Sequence, residues 1–302
     1  MKNTIITLII IIVLGFGGYL IFKNSGSDSS TTQYQNIDLI QDTDQATTTP
    51  TTKENKEMTV IGKSVEGRDI TAYHYGEGDT EILFIGGTHG GYGWATSLLA
   101  YETIDSLKLD SSIDPAKIKV TVIPSLNPDG LNKIVGTSER FELADAPEKS
   151  VDTTEGRFNA NEVDLNRNFD CNWKTTSKWQ NKTVSGGTEA FSEPEAQAIK
   201  NYVEENKPAA VIVWYSAAGG VFASSCYNGV SEETSTLTSI YADASGYPKY
   251  EKFDYYAITG DMVNWLAKKD IPAISVLLST HNDIDWDKNE AGIKAVIKHY
   301  IK

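Results

Sequence analysis

The chain has 302 residues, 41 acidic against 27 basic side chains, and a net charge of −14. That balance argues against nucleic acid as a partner, because a polyanion calls for a basic face. The two cysteines occur with neither a CxxC nor a Cys/His knuckle spacing, which removes the zinc ribbons from consideration.

Residues Thr4 to Phe22 (TIITLIIIIVLGFGGYLIF) carry no charge and are just long enough, at about 1.5 Å per residue, to span a hydrocarbon core of roughly 30 Å. An uncleaved transmembrane anchor over 1–23 is expected rather than a cleaved signal segment, since the apolar run is long and no A-x-A-like site follows it. Lys2 and Lys23 flank it nearly evenly and leave its orientation open; export of the remainder is the simpler expectation, giving a membrane-anchored, extracytoplasmic protein. From 24 to 57 the chain is rich in Ser, Thr, Asp and Gln and has almost nothing to bury, so a disordered linker is expected.

Beyond residue 58, strand-like and helix-like runs alternate as in an α/β domain. Strands are expected at Glu81–Ile85, Lys117–Ile123, Ala210–Trp214 and Ala273–Leu278. Helices are expected at Trp94–Leu107, Glu193–Glu205, Thr234–Ala244, Met262–Lys268 and Asn289–Tyr300, with Pro194 in a first turn capped by Ser192. No internal repeat is present. Loops at the carboxyl ends of such strands gather function, and His89, Asn127-Pro-Asp-Gly, Tyr215-Ser216-Ala217 and Ser279-Thr-His281 fall there.

Six stretches then occur in order: IGKSVEGRDI (61–70), GGTHGGYGW (86–94), IPSLNPDGL (123–131), VDLNRNF (163–169), GGTEAFSEPEAQAI (186–199) and YYAITGDMVNWLA (255–267). Together they resemble the zinc metallocarboxypeptidases of the carboxypeptidase A type across residues 58 to 302. The resemblance implies a single domain with a mixed, mostly parallel twisted sheet flanked by helices. It also implies a zinc ion held by a His and a Glu from one turn and a second His after a later strand. Three protein ligands leave the fourth position for a water, and a separate glutamate acts as base.

His89 matches the first ligand. Its carboxylate partner falls at Tyr92 or at Gly93, depending on register, and neither residue supplies one. The second histidine falls at Tyr215 or Ser216, and the base at Leu277. His281, four residues further on, is the nearest titratable group to the base position, although a loop histidine beside Asn and Asp is ordinarily solvated. Zinc is accordingly expected to be absent or weakly bound.

The substrate-holding residues are retained. The resemblance maps the carboxylate-gripping Asn-Arg pair onto Asn166 and Arg167, a further arginine onto Arg157 or Arg140, and a mobile tyrosine onto Tyr256; guanidinium suits this work because its fork of donors matches a carboxylate. NPDG and SEPE read as a turn and a helix start without chemistry. Cys171 and Cys226 are either bridged, which would brace this pocket, or two buried thiols. Three functions remain open: a binder of peptide or peptidoglycan-stem C-termini, a hydrolase with a rebuilt metal site using His89 and His281, and a structural surface protein.

Overall fold

Period-two alternation inside continuous apolar runs organises residues 57–301, the part of the chain described in the computed structural model. The expected anchor and all but the last residue of the expected linker lie outside the described residues. Among the described residues no helix is long and apolar enough to cross a membrane.

The strands are β1 (Met58–Lys63), β2 (Asp69–Tyr75), β3 (Glu81–Ile85), β4 (Lys119–Ile123), β5 (Thr176–Trp179), β6 (Lys182–Ser185), β7 (Ala210–Ser216), β8 (Gly220–Ala223), β9 (Lys249–Tyr250) and β10 (Ala273–Leu278). The helices are α1 (Trp94–Leu109), α2 (Pro128–Val135), α3 (Pro194–Asn206), α4 (Glu232–Ser245), α5 (Met262–Lys268) and α6 (Trp286–Tyr300). One mixed sheet runs β1-β2-β4-β3-β7-β10-β8-β9, and β5 and β6 form a separate hairpin. Its centre, β4-β3-β7-β10, is entirely parallel, while β1, β2 and β8 join antiparallel. Parallel strands buried on both faces are near-continuous apolar runs; every residue of β3 and β10 is buried, and only Glu81 and Ser275 among them are polar.

Successive side chains serve opposite faces. Ile82, Phe84, Ile212, Trp214, Ile274 and Val276 pack with residues of α1, α4 and α6. Leu83, Ile85, Val211, Val213, Tyr215 and Leu277 pack on the other side with residues of α3 and α5. Tyr215 and Leu277 therefore share a face, and they are register partners on neighbouring strands.

The boundaries differ from expectation in instructive ways. β4 begins at Lys119 rather than Lys117, because Lys117 closes a turn by donating to the Asp114 carbonyl. The N-cap of α3 is Glu193, not Ser192, whose hydroxyl instead donates to the Glu193 carboxylate. Asn127 caps α2 by accepting from the Gly130 amide, with Pro128 in the first turn, so NPDG is a helix start.

Candidate functional site

A cavity of about 530 Å³ opens where β3, β7 and β10 end, walled by His89, Arg157, Arg167, Tyr215, Tyr256 and Leu277 among others. His89 leaves β3 into a 3-10 turn over Gly90–Gly93. Its ring is buried and lies 5.2 Å from that of Tyr215. Its Nε2 faces Asp164 Oδ1 at 3.7 Å, beyond hydrogen-bond reach, and has no partner. Burial, reinforced by Arg157, lowers the His89 pKa well below the ordinary histidine value despite the nearby Asp164.

The paired alternatives sit in different surroundings. Tyr92 turns its ring onto Trp179 and His281, with centroids 5.1 and 4.5 Å away. Gly93 is the position that flanks His89: a Cβ built there would sit 3.5 Å from the His89 Cβ, an ordinary contact, yet glycine offers no donor. Tyr215 enters the cavity wall and donates its hydroxyl to Asn166 Oδ1 at 3.0 Å. Burial raises this phenol well above its ordinary pKa, so it stays neutral. Ser216 also lines the cavity, its hydroxyl buried and without a partner. Leu277 presents hydrocarbon beside Tyr215.

Arg157 and Arg167 reach the cavity from 3-10 turns over Thr154–Arg157 and Leu165–Arg167. Arg157 donates from Nε and Nη2 to Asp164 Oδ2 at 2.9 and 2.8 Å and lies over the Trp179 ring at 4.5 Å. Burial works to raise the Asp164 pKa, but Arg157 and Arg167 outweigh it and hold it at about 2. Arg167 is held by carbonyls alone, Nε and Nη2 to Lys178 O at 3.0 and 2.9 Å and Nη1 to Asn166 O at 2.6 Å. Among the described residues no carboxylate pairs with it. Of the five N–H groups of a guanidinium, these bonds leave hydrogens on both arginines. Asn166 is more committed: Oδ1 accepts from Tyr215 and from Met262 N, and Nδ2 donates to Asp261 Oδ2 at 2.8 Å. Burial raises the Asp261 pKa. Tyr256 sits at the mouth with Arg167 over its ring at 6.0 Å.

Arg140 is elsewhere, on the surface, paired with Asp105 and set over Tyr101; Arg157 is the arginine beside the Asn-Arg pair. His281 is not solvated as a loop histidine would be. It packs on Tyr92 at the cavity wall, burial lowers its pKa, and its Nδ1 has no partner. Cys171 and Cys226 are bridged, with Cα atoms 5.9 Å apart. Asp164, Asp261 and Trp179 were not singled out in the sequence. Asp164 could have been, because it opens the DLNRNF motif, whereas nothing around Trp179 marks it.

The model of the zinc carboxypeptidases of family Peptidase_M14 matches residues 47–295, most of the chain. The chain belongs to the zinc carboxypeptidase family. It is 27% identical over 222 residues to the uncharacterized protein YqgT of Bacillus subtilis, a match covering 65% of this chain and 58% of that one. It is 29% identical over 162 residues to a metallocarboxypeptidase A-like protein of Trichophyton verrucosum, covering 50% and 36%. The chain thus spans under two thirds of either curated relative. Among solved structures, the fold is similar to the murein-tripeptide amidase MpaA of Escherichia coli O157 (TM-score 0.57, 20% identity, 81% of this chain and 92% of that one). It is also similar to bovine thrombin-activatable fibrinolysis inhibitor (TM-score 0.64, 16% identity, 81% and 90%). These last likenesses establish the fold alone.

The zinc carboxypeptidase family implies a metal, and the donors present here do not fit one. Of the candidate ligand positions only His89 carries an imidazole; neither Tyr92 nor Gly93 supplies a carboxylate, the Tyr215 oxygen is a neutral phenol spent on Asn166, and Ser216 offers only a hydroxyl. The nearest carboxylate, Asp164, is bound by Arg157 through two hydrogen bonds to one oxygen. Among the described residues, no group of three His, Cys, Asp or Glu is placed to hold a metal ion.

Proposed function

We propose that the protein is a membrane-anchored, extracytoplasmic member of the zinc carboxypeptidase family that grips the C-terminal carboxylate of a peptide or peptidoglycan stem without hydrolysing it. One observation supports this reading: the cavity is lined by Arg157 and Arg167 together with Tyr92, Tyr215, Ser216 and Leu277, none of which supplies the carboxylate, second imidazole or base that hydrolysis would need. Arg157 is already neutralised by Asp164. Arg167 is buried, bonded only to carbonyls, and is the group whose charge a ligand carboxylate would complete. Away from bulk water such a charge-assisted bond is stronger than at a surface. The chemistry of hydrolysis is the weaker part, since acid–base assistance alone is worth about 10²–10⁴-fold and leucine can take no proton.

A rebuilt metal site would need carboxylates beside His89 and His281, and the Asp164–Arg157 pairing speaks against it. A purely structural role would favour a filled pocket, whereas space remains beside Arg167. Calorimetry with a short free-acid peptide tests the proposal. Amidating its C-terminus, or making Arg167→Ala, should weaken binding by roughly 10- to 100-fold, the worth of a hydrogen bond to a charged group. Amidation is the cleaner arm because Arg167 also secures the Lys178 carbonyl. Equal affinity for acid and amide would end the reading.

A further inference from the structure

Asp261 is a carboxylate in the cavity wall whose charge no cation neutralises. It caps α5, with Oδ1 accepting from Asn264 N at 3.0 Å, and its Oδ2 accepts from Asn166 Nδ2 at 2.8 Å. It is 4% exposed, and among the described residues the ion pairs of this cavity, Arg157–Asp164 and His89–Asp164, leave it out. Gly260 seats it there. The Gly260 carbonyl accepts from Phe169 N, its amide donates to the Cys171 carbonyl, and a Cβ on it would overlap the Arg167 carbonyl, so glycine lets the chain run close behind the Asn166-Arg167 turn.

Of the groups that face Asp261, Arg167 carries a charge, Tyr215 on β7 is a neutral phenol, and α5 itself presents the Val263 and Asn264 amides. The rest of the ionisable lining is Arg157, paired with Asp164, together with His89, His281, Tyr92, Tyr256, Lys252 and Asp254. Since Arg157 and Asp164 cancel, the charge that an anion meets at Arg167 depends on Asp261. Ionised, Asp261 opposes the anion and occupies a hydrogen of Asn166 Nδ2. Neutral, it does neither: Arg167 stands uncompensated and Asn166 recovers that hydrogen for a ligand.

We propose that Asp261 is a positioning residue that couples the binding of an anion at Arg167 to the uptake of a proton by its own carboxyl. The proposal rests on the carboxylate grip for the anion and on the Asp261–Asn166–Arg167 arrangement for the proton. Burial already holds the Asp261 pKa above its ordinary 3.8, and an anion on Arg167 cancels one of the attractions that oppose a further rise. The neutral form is lost as pH rises through the folded value, so anion affinity falls with rising pH.

The test is calorimetry on the full chain with an N-acetylated free-acid tripeptide between about pH 5 and about pH 8, in paired buffers of different ionisation enthalpy. Affinity should fall about tenfold over that range, the change that accompanies one unit of pKa shift, with net proton uptake on binding. Asp261→Asn keeps the side-chain size and a cap oxygen for Asn264 and stands in for the neutral acid. It should bind at the high end of the range as tightly as the parent binds at the low end, without the fall and without the proton uptake. The histidines, Lys252 and Asp254 are common to both proteins, so the difference between the two profiles belongs to Asp261. A flat parent profile, or a fall of equal size in Asp261→Asn, overturns the proposal. So does loss of binding in Asp261→Asn at a parent-like urea midpoint, which would make the ionised carboxylate part of the grip. Failure of the grip itself is read separately, from free acid against amide. If no peptide binds, the pH titration of the Asn166 side-chain amide resonances decides: a midpoint that acetate raises over chloride at equal ionic strength upholds the coupling, and a midpoint that acetate leaves in place, or no titration, refutes it.

Discussion

Removing the Arg157 guanidinium should expose how the cavity balances its charges. Arg157 and Asp164 are both almost fully buried and joined by two hydrogen bonds. Truncation by Arg157→Ala strands a carboxylate, and breaking one side of a buried pair costs about 3–5 kcal/mol. The parent Asp164 pKa of about 2, against an ordinary 3.8, corresponds to about 2 kcal/mol of stability. The sign follows from the depressed carboxyl: this contribution is present above the ordinary pKa and is lost as pH falls through the folded value. In Arg157→Ala, burial is opposed chiefly by Arg167, with His89 and the Asn166 amide adding to it; the Asp164 pKa rises, and protonation relieves the stranded charge. The penalty should therefore be about 3–5 kcal/mol near pH 7, shrinking by roughly 2 kcal/mol near pH 3. Urea unfolding of both proteins across that range measures it. A penalty independent of pH would refute the charge-balance argument.

Two more outcomes follow from the same geometry. The Cys171–Cys226 bridge closes a loop across 55 residues between the Asn166-Arg167 segment and the stretch after β8. Cys171→Ala/Cys226→Ala should lower stability by about 3–5 kcal/mol on the loop-entropy scale, and a chemical-denaturation midpoint equal to the parent's would contradict it. Since Gly93 has room for a side chain beside His89, Gly93→Glu/Tyr215→His should bind zinc at least about 100-fold tighter than the parent in competition with a chelator, whereas Tyr92→Glu/Tyr215→His should gain little. Equal affinities in the two double variants would show that Gly93 is not the ligand position.

Much of this was readable before any coordinates. The four central strands are apolar runs because both of their faces are covered, and length with turn signals was enough to find them. β1, β2, β8 and β9 were not found: they lie toward the sheet edges, are short or half exposed, and take their order from partners distant in sequence. The ligand positions could be bracketed but not chosen. In GGTHGGYGW the register leaves Tyr92 and Gly93 both open; a Cβ on Gly93 would lie 3.5 Å from the His89 Cβ, while the Tyr92 ring packs on Trp179 and His281. Arg157 and Arg140 were equally basic on paper; burial against Asp164 separates them.

The hydroxyl of Tyr215 makes the site hard to walk back by single steps. It satisfies Asn166, which in turn holds the Met262 amide and the Asp261 carboxylate. Tyr215→His alone removes one of the two donors to Asn166 Oδ1 and leaves the Met262 amide, a loss of about 0.5–1.5 kcal/mol, while His89 and one more imidazole still lack a carboxylate between them. Gly93→Glu alone adds a carboxylate beside His89, whose Nε2 has no hydrogen-bond partner, and burying that charge carries a desolvation cost. Either single step toward a three-ligand centre therefore gives up a buried interaction before a metal could repay it, so the hydrogen bond from Tyr215 ties the ligand positions to the Asn166–Asp261 network.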